Sequence, residues 1–150
     1  MTFEEAVKLT RHLGKDAIRP GFQALEAVDR SRVECADTRS LSGSVNIDRS
    51  LQPVAPNASR WDYAICYNAG SQVVYWVEVH PASPGDVAEV ERKFLWLRNW
   101  LKEDGQRLYA FERHFVWIAS GRSSFTQGSP QVRRLAQLGV RTVGRLLKIS

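Results

Sequence analysis

From Arg60 to His80 the chain reads RWDYAICYNAGSQVVYWVEVH, two runs of β-branched and aromatic residues around the turn-forming stretch Asn68-Ala69-Gly70-Ser71-Gln72. The pattern predicts a hairpin of strands over 60–67 and 73–80. Three polar side chains, Asp62, Glu78 and His80, interrupt what is otherwise core material. Residues two apart on a strand share a face, so Glu78 and His80 point the same way. A three-residue loop at Ala69-Gly70-Ser71 pairs Asn68 with Gln72 and sets Asp62 opposite Glu78. A two- or four-residue loop puts the two acids on opposite faces.

The remaining periodicities supply the other elements. After Pro81-Ala82-Ser83-Pro84-Gly85, the residues Val87, Val90, Phe94, Leu97 and Leu101 recur in alternating steps of three and four, the stripe of a long helix that packs on a sheet. Lys93, Trp96 and Trp100 cluster on one flank of that stripe. HFVWIA, residues 114–119, is an apolar run suited to a strand buried on both faces. Thr2-Phe3-Glu4-Glu5 has capping-box spacing, Phe3, Val7, Leu9 and Leu13 give the first helix its apolar side, and Gly14 ends it. Pro20 to about Arg30 reads as a second helical piece, with Phe22, Leu25 and Val28 on its apolar side. Residues 31–42 read as loop, Val45 to Asp48 as a short strand, and 52–59, with Pro53 and Pro56, as a connection. Ser120 to Ser124 reads as a flexible link. Ser129 at the N-cap, Pro130 and Gly139 frame a last helix, and Val143 to Ile149 closes the chain as an edge strand guarded by Arg145 and Lys148.

In order, these elements predict an α/β fold: hairpin strands feeding a right-handed crossover helix and a parallel strand, in a mixed central sheet with helices on both faces. With 150 residues, 43% of them hydrophobic, the chain suits one domain over 1–150. No apolar run is long enough to span a bilayer and the N-terminus is charged, so a cytoplasmic protein without a membrane segment or secretory signal is expected. Cys35 and Cys66 lie far apart without zinc spacing, and Cys66 reads as a small buried side chain.

Charge is divided unevenly. Residues 1–84 carry 9 Lys/Arg against 10 Asp/Glu, and residues 85–150 carry 12 against 6. The basic second half, with Arg122, Arg133, Arg134, Arg141 and Arg145, suits an anionic partner such as nucleic acid.

The order of elements, with Asp62 on the second strand and Glu78-Val79-His80 on the third, resembles the PD-(D/E)XK nuclease superfamily and its αβββαβ restriction-endonuclease-like core, over roughly residues 3–120. The resemblance implies that Asp62 and Glu78 are metal ligands, for magnesium or manganese, while a cation positions or activates the attacking water. Hard carboxylate oxygens suit such a metal. This chain departs from the pattern by having His80 where the superfamily has Lys. Histidine can take a proton near neutral pH but lacks a permanent charge. Lys93 on the following helix, where some members of the superfamily place their lysine, and Arg60, two residues before Asp62, are the other nearby cations. Glu26 is a candidate third acid from the first helical region.

Two functions follow from this reading. In the first, Asp62, Glu78, His80 and Lys93 hydrolyse a nucleic-acid phosphodiester, with Arg60, Arg122, Arg133 and Arg134 on phosphates. In the second, the same fold is catalytically inactive and binds nucleic acid, a protein partner or a second copy within a larger assembly, using Trp96 and Trp100. Dinucleotide-binding, P-loop, HExxH and nucleophile-elbow motifs are absent from the sequence, and His12, His80 and His114 have no zinc-site spacing.

Overall fold

The computed structural model describes residues 1–122, 124–125 and 128–150. Its centre is a six-stranded mixed sheet. The strands are β1 (Ile18–Arg19), β3 (Leu41–Asn46), β4 (Tyr63–Asn68), β5 (Gln72–Pro81), β6 (Glu112–Ser120) and β7 (Val140–Val143), adjacent in that order. β1, β3, β4 and β5 pair antiparallel, while β6 and β7 add in parallel. The parallel step from β5 to β6 requires a crossover, and α4 (Asp86–Lys102) and the one-turn α5 (Gln106–Tyr109) supply it.

The predicted hairpin forms in the predicted register. Asn68 pairs with Gln72 and Tyr63 with Val77, leaving Ala69-Gly70-Ser71 as the turn, and Gly70 takes the left-handed conformation such a turn needs (φ 99°). Regular pairing starts at Tyr63 rather than Arg60.

One face of the sheet, carrying Ala64, Cys66, Val74, Trp76 and Trp117, packs against α4, α5 and α1 (Phe3–Leu9) through Phe94, Leu97, Leu101, Leu108 and Phe3. Cys66 is buried there and burial pushes its thiol up to about 11. The α4 stripe lies as expected, with Val90, Phe94, Leu97 and Leu101 buried, and Thr2 caps α1 by accepting from the Glu5 N–H. α6 (Pro130–Leu138) starts at a Ser129 cap and ends at Gly139, as its punctuation predicts. Its Leu135 joins the same core.

Several expectations need correction. α1 stops at Leu9, which is exposed, so Gly14 is not its terminator. The segment from Pro20 forms only a single turn of helix, α2 (Ala27–Arg30), with Val28 exposed and Leu25 buried. The stretch 31–42 contains a strand, β2 (Val33–Cys35), and a 3-10 turn (Thr38–Ser40). The short strand spans 41–46, and Ile47–Leu51 is a helix, α3. The expected closing edge strand is two strands: β7 on the main sheet, and β8 (Leu147–Ile149), which pairs in parallel with β2. That two-stranded sheet, with Leu25, covers Ile65, Tyr75, Val77, Val116 and Ile118 on the second face, where helices were expected. Of the expected link 120–124, Ser123 lies outside the described residues. Among the described residues, no helix is long and apolar enough to cross a membrane.

Candidate functional site

Because the hairpin turn has an odd residue count, Asp62 and Glu78 fall on the same face, the one under α4. Their strands are joined there by the acids themselves. The Asp62 backbone N–H donates to Glu78 Oε1 (3.2 Å), and the Val79 N–H donates to Asp62 Oδ2 (2.9 Å). Each carboxylate thus satisfies an amide just beyond the last paired residues of β4, which fixes both side chains.

Lys93 reaches down from α4 between the two acids. Its Nζ contacts Glu78 Oε2 and lies 3.6 Å from Asp62 Oδ1. Glu78 has no exposed surface, whereas the side chains of Lys93 and Asp62 keep 15% and 20% of theirs, so the group is entered from the Asp62 and Lys93 side. Burial, then the neighbouring Asp62 carboxylate, drives the Glu78 carboxyl well above its ordinary value, against the pull of Lys93. Burial also raises Asp62, opposed by Lys93 and by the Val79 amide. For Lys93, burial works against the ammonium, but Glu78 and Asp62 outweigh it and hold the amine above its usual range. These directions agree once charges are counted. Two acids face one ammonium, so the amine stays charged and one carboxyl readily takes a proton.

His80 extends the group along β5. Its Nδ1 lies 3.7 Å from Glu78 Oε2, and its Nε2 is 3.1 Å from Asp86 Oδ1 in the first turn of α4. Asp86 in turn accepts from the Ser83 backbone N–H (3.0 Å) and the Ser83 hydroxyl. The Ser83 hydroxyl bond lowers the Asp86 carboxyl, with further help from His80. Trp117 on β6 donates its indole N–H to the His80 carbonyl (3.0 Å), so ring and backbone of His80 are both held.

Sequence reasoning did not find Asp86 and Ser83. The signal was there: Ser83-Pro84-Gly85-Asp86 has the serine-x-x-acid spacing that precedes helices.

The other candidates lie elsewhere. Arg60 is tied into the 48–58 segment, with Nε on Asp48 Oδ1 (3.0 Å) and Nη1 on the Ala55 carbonyl (2.6 Å). Glu26 pairs with Arg49 rather than joining the acids. Arg134 pairs with Glu91 of α4, Arg133 is exposed on α6, and the Arg122 carbonyl accepts from Arg145 (3.3 Å). Trp100 is buried against Trp76, and Trp96 stacks on it at 6.2 Å with 13° between planes.

Chemically, two carboxylates aimed at one ammonium form a cradle for a cation. Among the described residues, no three His, Cys, Asp or Glu side chains gather as a fuller ligand set. No family model, curated protein or solved structure matches the chain.

Proposed function

We propose that the chain is a metal-dependent nuclease-like protein with a restriction-endonuclease-like αβββαβ core, acting on nucleic-acid phosphodiesters at Asp62, Glu78 and Lys93. The observation that carries this reading is the meeting of the two acids and Lys93 at one partly open point on the sheet. The order of α1, β3, β4, β5, α4 and β6 supports it, being the sequence of elements the superfamily resemblance implies.

The donor set suits magnesium or manganese. Asp62 and Glu78 offer hard oxygens, and a metal held by both would take the position between them that the Lys93 ammonium holds in this structure, moving that ammonium aside; magnesium commonly takes one or two carboxylates and keeps water or phosphate in its other positions. When bound, such an ion supplies charge neutralisation at the scissile phosphate and a more acidic water. The protein's own residues do the rest. Lys93, on α4, is the cation that replaces the lysine missing from position 80, and it holds positive charge where a phosphate would arrive. His80, held by Asp86 at Nε2, turns Nδ1 towards Glu78 (3.7 Å), where it would accept a proton from an attacking water.

The test is incubation of the purified chain with single- and double-stranded DNA and RNA in magnesium, manganese or EDTA. Cleavage that needs the metal and falls at least a hundredfold in Asp62→Asn and Glu78→Gln is expected. Wild-type protein that cuts none of these substrates with either metal ends the proposal.

A second reading rests on the complete burial of Glu78 and its contact with Lys93. In it the triad only ties α4 to the sheet, and the protein is an inactive nuclease-fold module that binds nucleic acid or a protein partner. That reading expects binding to survive Glu78→Gln and to be indifferent to metal.

A further inference from the structure

Beside the acids, α4 carries a second feature that the proposed chemistry does not use. Trp96 and Trp100 follow Lys93 by three and seven residues, on the same side of the helix, so they lie about 4.5 and 10.5 Å further along its axis. With His12, Leu51, Val54, Ala55 and Asp104 they line a cavity of about 140 Å³. Its walls are apolar and aromatic, while His12 and Asp104 are exposed and polar. A free small-molecule ligand needs upwards of about 300 Å³. The space therefore fits one flat group projecting from a larger molecule.

A further observation marks this cavity. His12 is, among the described residues, the single non-glycine held in the left-handed region (φ 71°). Side chains kept in such a conformation concentrate at ligand-binding positions, where the surrounding structure enforces them. The wall opposite is held in place too, since Arg60 bonds the carbonyl of Ala55 and the side chain of Asp48.

We infer that this cavity receives one unpaired nucleobase of a nucleic-acid strand whose backbone lies at Asp62, Glu78 and Lys93, making the preferred ligand single-stranded or locally unpaired. The inference takes its ligand class from the proposed function but not the cleavage. The base stacks on Trp96, which is itself backed by the buried Trp100, as bases do on aromatic platforms in single-strand binders, and its polar edge meets Asp104 and His12. A base inside an intact duplex cannot enter such a slot.

The test is equilibrium binding in EDTA, read by anisotropy of short labelled single strands, the same strands with abasic positions, and blunt duplexes. Wild-type protein should bind the intact single strand at least about tenfold more tightly than the abasic strand or the duplex. Trp96→Leu should remove that preference and Trp96→Phe should keep most of it. Val54→Glu puts a charge at the mouth of the cavity from a residue that is already 50% exposed, so it keeps the fold and should also remove the preference. Equal affinity of wild-type protein for intact and abasic strands overturns the inference, as does an unchanged preference in Val54→Glu. So does a dimer that Trp96→Leu dissolves while strand binding stays the same. Base-dependent binding without metal-dependent cutting would sink the nuclease reading alone; no base-dependent binding, with metal-dependent cutting intact, would sink this one alone; and neither strand binding in EDTA nor cutting in either metal would sink both.

Discussion

Asp62 and Glu78 present two negative charges to the one ammonium of Lys93, and Glu78 is the member with no water to share the excess. Its carboxyl is raised in the folded state by burial first and by Asp62 second. A raised folded value means the native protein holds a proton that the unfolded chain has already released. The stability this provides is complete below the ordinary glutamate range and is lost as pH rises through the raised value. Each tenfold in proton affinity is worth about 1.4 kcal/mol. Glu78→Gln removes this dependence, so in metal-free buffer the variant's melting temperature should gain on wild type as pH climbs from about 4.5 to neutral. A gap between the two melting curves that stays constant over that range would contradict the charge count. At this scale the sequence showed the participants and not their partners. Asp62, Glu78 and His80 were visible as polar interruptions of apolar strands, and Lys93 as a cation on the flank of the α4 stripe. That Lys93 would reach both acids depends on how α4 crosses the sheet, which no local pattern encodes.

Among the elements, what was legible followed how local each interaction is. The hairpin was readable because its register depends on three turn residues, and α4 and α6 because their stripe and caps lie within the elements themselves. β2 was not readable: Val33-Glu34-Cys35 is too short to show alternation, and its partner, β8, lies at the far end of the chain. The closing strand was over-read because Val143 to Ile149 is apolar on both sides of Gly144, where the chain leaves one sheet for the other. Leu9 and Val28 carried the helical spacing but face solvent, since their segments end or turn before packing decides the matter. β1 depends on a close approach instead. Gly43, at the irregularity where β3 shifts register, has φ 142°, and a Cβ there would sit 3.0 Å from both the Arg19 carbonyl oxygen and Ile18 Cγ1. Gly43→Ala should therefore lower stability by about 1–3 kcal/mol in urea denaturation by pushing β1 off the edge of the sheet. Since β1 is far along the sheet from β5, the nucleic-acid binding proposed above should be the same in the variant as in wild type. An unchanged midpoint would mean the edge strand moves aside freely.

For the whole molecule, the division of charge makes its own demand on the proposed ligand. Residues 85–150 carry 12 Lys/Arg against 6 Asp/Glu, and this half supplies α4, β6, α6 and the C-terminal strands. Some of that charge is already spent: Lys93 on the acids and Arg134 on Glu91. Arg133, Arg141 and Arg145 remain exposed, and Arg145 meets the carbonyl of Arg122. If these residues meet phosphates, each contact releases counterions, and the logarithm of affinity falls linearly with the logarithm of salt concentration. Stacking on Trp96 makes no such contribution. The two sources of affinity can therefore be separated on one protein. Arg133→Gln combined with Arg145→Gln should reduce the salt slope for single-strand binding by about 1.4 and weaken intact and abasic strands alike. Trp96→Leu should leave the slope untouched and weaken only the intact strand. If the double arginine variant keeps the wild-type slope, the basic half serves solubility, and whatever strand the protein holds is held by α4 and the sheet beneath it.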